Sequence, residues 1–137
     1  MPLPYADTDI IIRLLTGDDP AKQAAAADLF KRVERGELTV TAPTTVIADA
    51  VFVLSSRRLY ALPRDQVAAL LLPLVRLPHF RLRNRRAILA ALALYGSSNL
   101  DFGDCLIIAS MRQDRSQTLY SYDADFDSVA GVQRQEP

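Results

Sequence analysis

Short apolar runs of strand length alternate along this sequence with longer stretches whose apolar residues recur at helical spacing, and Pro, Gly, Asp or Asn marks each change of period. A strand is predicted over 3–6, followed by a compact apolar turn of Ile10, Ile11, Ile12, Leu14 and Leu15 that Thr16 and Gly17 stop. Asp18-Asp19-Pro20 then opens a helix, an acidic cap preceding a proline in the first turn, and an Ala-rich run carries it to about Arg35 with Gly36 as the stop. Residues 38–42 read as a second strand. The next helix starts at Pro43-Thr44-Thr45 and places Val46, Ile47, Ala50, Val51 and Leu54 on one face. Another begins at Pro63-Arg64-Asp65 and ends before Pro78, with a kink or break expected at Pro73. A short strand over 80–83, a helix over 87–95 ended by Gly96, a helix capped at 99–101 and running to about Gln113, a strand over 118–122 and an edge strand around Val132 complete the pattern.

Strands separated by helices imply an α/β fold, with a central parallel sheet of four to five short strands flanked by helices on both faces. In such sheets, sites form outside the carboxyl ends of the strands. A chain of 137 residues, half of them apolar, has the size and the core for one domain over 1–137. The most apolar windows, 67–75 and 87–95, are far shorter than the ~20 residues a membrane span needs, and the opening Met-Pro-Leu-Pro-Tyr-Ala-Asp lacks the basic and apolar regions of a secretory signal. A soluble cytoplasmic protein with no membrane contact is expected.

Cys105 is the only cysteine, which excludes an internal disulfide and a Cys-rich zinc site; its apolar surroundings predict a buried structural thiol. The lone His79, in a loop between Pro78 and Phe80, has no second His or Cys nearby with which to share a metal. The net charge is zero, so the whole molecule does not advertise nucleic-acid binding. Its distribution is more informative. All but two of the sixteen cations are Arg, whose planar fork suits phosphate, and Arg81, Arg83, Arg85 and Arg86 cluster beside a predicted strand, as either a solvated edge or a phosphate-binding patch.

Four acids occupy positions that an ordinary surface charge would not favour. Asp7 ends the first strand, Asp49 lies inside an apolar helix, Asp104 stands in the first turns of a helix and Asp123 ends a late strand. Each has a structural explanation when taken singly: Asp101 and Asp104 as cap and first-turn charge, Asp123, Asp125 and Asp127 as turn residues. Asp49 is the hardest to explain in that way, because an acid flanked by Ala, Val and Ile one helical turn away needs a partner or a cation. Together they point to a carboxylate cluster. Crowded carboxylates either protonate or bind a hard divalent cation, and oxygen-only ligation selects Mg²⁺, with Mn²⁺ possible, over zinc. Such a site suits phosphodiester hydrolysis.

Ala-Asp-Thr-Asp-Ile-Ile-Ile-Arg-Leu-Leu-Thr-Gly-Asp-Asp-Pro at 6–20 closely resembles the opening of PIN-domain ribonucleases of the VapC toxin type. Leu-Asp-Phe-Gly-Asp-Cys-Leu-Ile-Ile-Ala at 100–109 resembles their third acidic motif and Ser-Tyr-Asp-Ala-Asp-Phe at 121–126 their fourth. The resemblance implies that Asp7, Asp104 and Asp123 are metal-binding and catalytic acids, with Asp49 as a fourth catalytic acid. Ser121 matches a small hydroxyl residue found beside the last acid, and Asp101 matches a helix-capping acid. Asp9, Asp101, Ser121 and Asp125 are therefore secondary candidates. Asp49 departs from the usual Glu and is one methylene shorter; Asp9 replaces the more usual Asn or Ser. The same resemblance implies an RNA substrate, a homodimer and a cognate VapB-like antitoxin whose C-terminal segment enters an apolar groove. Faces at Ile11, Leu14 and Leu15 and at Val51, Phe52 and Leu54 are candidates for that groove. An antitoxin Arg is expected to face Asp7 and Asp104.

Three rival readings can be weighed, of which the first is disfavoured. A phosphoacceptor receiver domain would need a strand-end Lys, and the only lysines, Lys22 and Lys31, lie in an early helix. A PIN-like RNA- or protein-binding module with weakened catalysis would accommodate Asp49 in place of Glu. A PIN nuclease of RNA processing would act without an antitoxin.

Overall fold

The computed structural model describes residues 2–137. Helices dominate: α1 (Thr8–Leu15), α2 (Pro20–Glu34), α3 (Thr44–Ser55), α4 (Arg64–Val75), α5 (Arg85–Ser97) and α6 (Phe102–Gln113), with a 3-10 turn at Ala124–Ser128. The strands are short: β1 (Val40–Thr41), β2 (Phe80–Arg81), β3 (Thr118–Tyr120) and β4 (Gln133–Gln135).

The helix starts follow the local chemistry. Asp19 accepts a hydrogen bond from the Lys22 amide at 3.1 Å, with Pro20 in the first turn, so α2 begins where the acidic cap and proline predict. Gly36 adopts φ +77°, the left-handed conformation that ends the α2 segment. Two expectations are corrected and one is refined. The apolar stretch after Asp7 is a full helix, α1, with Ile11 and Ile12 buried. Pro73 neither breaks nor ends α4, because it lies in the last turn, and the carbonyl its missing N–H would have bonded belongs to Ala69, which is exposed and can be served by water. Gly96 lies inside the last turn of α5, which ends one residue later at Ser97. It lets α5 approach α4, since a Cβ at this position would lie 3.0 Å from the Ala68 Cβ.

Strand pairing is parallel throughout but does not form one continuous sheet of four to five strands. β1 pairs with β2, Val40 opposite Phe80 and Thr41 opposite Arg81, and the predicted first strand contributes only a bridge from Tyr5 to Thr41. β3 pairs separately with β4. Pro2 and Pro4 have no N–H to donate, so the first segment can form only a short ladder, in which the Ala6 amide donates to Thr41 and the Thr41 amide to Pro4. Across the Tyr5, Thr41 and Arg81 row, Ala6, Val40, Ala42, Phe80 and Leu82 turn into the core, while Tyr5 and Arg81 stand exposed. Cover on both faces, anticipated from the parallel pattern, is therefore missing at this row.

The core joins the apolar faces of α1 to α6 with β1 and β2. The predicted face of α3 is buried at every named position: Val46, Ile47, Ala50, Val51 and Leu54. Phe80 is fully buried and meets Phe30 edge-on, with ring centroids 5.7 Å apart. Among the described residues, no helix is long and apolar enough to cross a membrane.

Candidate functional site

Asp7 sits where the first strand segment passes into α1. It is the N-cap of that helix, its Oδ1 accepting from the Thr8 amide at 2.6 Å, and its side chain is exposed. The same helix start carries Asp9. Asp49 projects from the exposed side of α3, not from its apolar face. Residues 48 and 50–54 mix buried and exposed positions because α3 is amphipathic, so the local burial expected of Asp49 from its neighbours is corrected. Asp7, Asp9 and Asp49 line one open groove of about 540 Å³ between α1 and α3, together with Arg13, Phe52 and Tyr60.

A second group gathers at the start of α6. Asp101 occupies the N-cap position, but its side chain makes no capping bond, so its expected role as a cap is held by position only. Asp104, one turn into the helix, is partly buried, and its carboxyl is pushed above the ordinary Asp range first by burial and then by the like charges of Asp101, Asp123 and Asp125. Asp123 and Asp125 arrive from the loop after β3. Ser121 Oγ accepts from the Asp123 amide at 3.0 Å, and Asp123 Oδ1 accepts from the Asp125 amide at 2.9 Å, fixing the turn that leads into the 3-10 segment. The remaining acid of that run, Asp127, is instead paired with Arg134 at 2.8 Å, which lowers its carboxyl below the usual range.

The two groups flank Phe52. This ring is 71% exposed and lines both the Asp7, Asp9 and Asp49 groove and a neighbouring cleft between α3 and α6 that includes Asp101. Of the other expected groove residues, Ile11, Val51 and Leu54 are core and Leu14 and Leu15 are partly buried; Phe52 alone is open. Tyr60, missed in the sequence because nothing in its surroundings is periodic, lines the same groove. Its hydroxyl donates to Asp18 Oδ2 at 2.7 Å, Thr16 donates to the same carboxylate, and the pair holds the Asp18 carboxyl below the ordinary range. Arg13 is drawn to Asp18 as well, at 3.4 Å.

Arg64 is a second residue that sequence pattern did not reveal. From the start of α4 its Nε donates to the Tyr95 carbonyl at 2.9 Å, its Nη2 donates to the Leu100 carbonyl, and its guanidinium lies 3.9 Å from the centre of the Tyr95 ring. It thereby ties the end of α5 to the loop that delivers Asp101 and Asp104. Cys105 is the buried thiol expected, and His79 takes a place in the packing between strands. The Cys105 thiol is buried, which pushes its pKa up, and His79 Nδ1 lies 3.2 Å from Thr39 Oγ1.

The PIN domain family pattern matches residues 5–132, and the chain belongs to that family. PIN domains are in general metal-dependent nucleases, which assigns the chain to that class of hydrolase. A comparison with curated proteins finds no match. The donor set fits a hard divalent cation in kind: oxygen ligands only, with Asp104 held among like charges that a cation would relieve. Among the described residues, however, no three acids stand close enough together to surround an ion.

Proposed function

We propose that this protein is a Mg²⁺-dependent endoribonuclease and the toxin half of a VapC-type toxin–antitoxin pair. The observation that carries the reading is the placement of Asp104: partly buried in the first turn of α6, its carboxyl is raised by burial and by the like charges of Asp101, Asp123 and Asp125, a repulsion that a bound cation would relieve. Asp7, Asp104 and Asp123 would hold the ion, with Asp49 contributing from across the groove; Asp9, Asp101 and Asp125 add negative charge, and Ser121 orients the Asp123 backbone. When bound, the metal lowers the pKa of water and offsets charge developing on the phosphate. The protein's own part is positional. Capping fixes Asp7 at the head of α1, the Ser121 and Asp125 amide bonds fix the Asp123 turn, and Arg64 fixes the approach to α6.

The groove between α1 and α3 supports an antitoxin partner. It sets apolar Phe52 and Leu59, 59% exposed, beside three acids, a combination that suits an apolar peptide segment bearing an Arg. A homodimer completes the proposed assembly, and cytoplasmic RNA is its substrate. The test is cleavage of total RNA by the purified, partner-free protein with Mg²⁺ or Mn²⁺, against EDTA and against Asp7→Asn. Metal-dependent cutting that the variant loses is expected. One observation favours a second reading, a PIN-like binding module: among the described residues no three acids stand close enough together to surround an ion. A protein that binds RNA but neither binds metal nor cleaves would establish that alternative.

A further inference from the structure

The parallel pairing places Tyr5, Thr41 and Arg81 side by side in one row, and burial shows which way the row faces. Their neighbours in each segment, Ala6, Val40, Ala42, Phe80 and Leu82, are buried, whereas Tyr5 is 74% exposed and Arg81 is exposed. Adjacent strands lie about 4.8 Å apart, so the row from Tyr5 to Arg81 spans roughly 10 Å. At one end, two residues beyond Tyr5 and on the same side of the segment, stands Asp7. At the other end the chain continues through exposed Arg83 to exposed Arg86 in the first turn of α5.

These arginines are not engaged elsewhere. Arg85 differs: it turns inward and donates to the carbonyls of Leu77, Pro78 and Phe80, stapling the loop before α5. Among the described residues, no ion pair or side-chain hydrogen bond involves the guanidinium of Arg81, Arg83 or Arg86. Arg13, the other arginine near the acids, is already paired with Asp18. Three free guanidinium groups on one edge of a molecule with zero net charge form a local anion-binding surface, and an open aromatic ring between them and a nuclease acid is suited to base stacking.

We infer that this row is the track of an unpaired RNA strand: phosphates on Arg81, Arg83 and Arg86, a base stacked on Tyr5, and the chain entering the acidic site at Asp7. The inference rests on the nuclease reading and deepens it, by naming the side chains that hold the strand and the side from which it enters. A duplex would hide the base faces that Tyr5 needs.

The test is fluorescence-anisotropy binding of a labelled unstructured RNA oligonucleotide to the intact protein in EDTA, across a salt series, with metal-dependent cleavage of the same RNA measured in parallel. Each single-strand phosphate contact contributes a slope of about −0.7 to log K against log salt, so the Arg81→Ala/Arg83→Ala/Arg86→Ala variant should flatten the slope by about 2. Arg35→Ala, at the far end of α2, should flatten it by well under 1 and serves as the control. Tyr5→Ala should weaken binding roughly five- to a hundred-fold, while Tyr5→Phe retains it. Circular dichroism confirms folding, which these exposed side chains do not support. A wild-type protein that binds and cuts RNA while the triple variant keeps the full slope refutes the track and leaves the nuclease reading intact. Equal affinity for a duplex competitor refutes the stacking role. A triple variant that changes oligomeric state with RNA binding unaltered makes the patch a protein interface instead. A wild-type protein that neither binds nor cuts any RNA removes the nuclease reading and this inference with it.

Discussion

Replacing Arg64 with Met should cost this protein a substantial part of its stability, although the side chain lies outside the apolar core. The side chain makes two charge-assisted hydrogen bonds, to the Tyr95 and Leu100 carbonyls, and stacks over the Tyr95 ring at 3.9 Å. Hydrogen bonds to a charged group are worth about 1.5–3 kcal/mol each, and a cation–π contact about 0.5–1 kcal/mol where water has access. The contributions overlap, because one guanidinium makes all of them, and Met retains part of the packing; a net loss of about 2–4 kcal/mol follows. Unfolding entropy near 2.1 cal/mol/K per residue gives about 0.3 kcal/mol/K for a chain of this size, so Tm should fall by about 7–14 °C. Circular-dichroism melting in EDTA isolates this from any metal linkage. Lys keeps the charge without the fork and should fall between wild type and Met. Because Leu100 leads directly into Asp101, the Met variant should also cleave RNA more slowly at a temperature where it remains folded. A Tm loss under about 3 °C for Met, or a Lys variant as stable as wild type, would refute the argument that a forked donor holds this corner.

Asp104→Asn removes a carboxylate raised by burial and by Asp101, Asp123 and Asp125, so in EDTA it should melt higher than wild type by a few degrees, of the order of a screened surface interaction; on the proposed metal site it should also lack any Tm rise that wild type shows on adding Mg²⁺, and a lower Tm in EDTA would contradict the repulsion. Asp18 has its folded pKa lowered by the Tyr60 hydroxyl and then by Thr16, so the stability it contributes is present above the unfolded value of about 3.9 and is lost as pH falls through the folded value. Tyr60→Phe should accordingly show a smaller loss of Tm between about pH 4 and pH 2 than wild type, read by melting at each pH. Asp127, lowered by its bond to Arg134, behaves with the same sign, and Arg134→Gln should likewise shrink the acid-side loss. Gly96→Val should destabilise by about 1–3 kcal/mol through overpacking against Ala68, and Ala68→Gly should recover part of that loss in the double variant, as chemical denaturation would show.

The helices were legible wherever the chain carries both a period and a stop. α2 shows a cap, a first-turn proline and a terminal glycine; α3 shows five apolar residues on one face, and every one of them is buried. The strands were legible as apolar runs but not as a sheet, because pairing depends on contacts between distant segments, and Pro2 and Pro4 shorten the first ladder in a way that hydrophobicity does not express. Gly96 illustrates the limit of punctuation signals. Glycine ends a helix in one context and admits a neighbouring helix in another, and only the position of Ala68 distinguishes the two.

The acids were legible as candidates because each stands at an element end or on a helix without an evident partner, but their grouping was not. A side chain at the carboxyl end of a strand segment, such as Asp7, is placed by topology; one on a helix, such as Asp49, is placed by the angle at which that helix packs. The core fixes that angle, and it turns Val51 and Leu54 inward and leaves Asp49 and Phe52 outward. Phe52 therefore stands between the acids of α1 and α3 and the acids around Asp104 as an exposed ring that folding alone does not require. An apolar surface retained between two groups of like charge is explained if cations and a partner or substrate occupy both sides of it. The same logic applies to Tyr5, the other open ring beside Asp7. The stability of the isolated chain and the chemistry of its site are thus set by different faces of the same short elements, and the inward faces were the ones that periodicity could reveal.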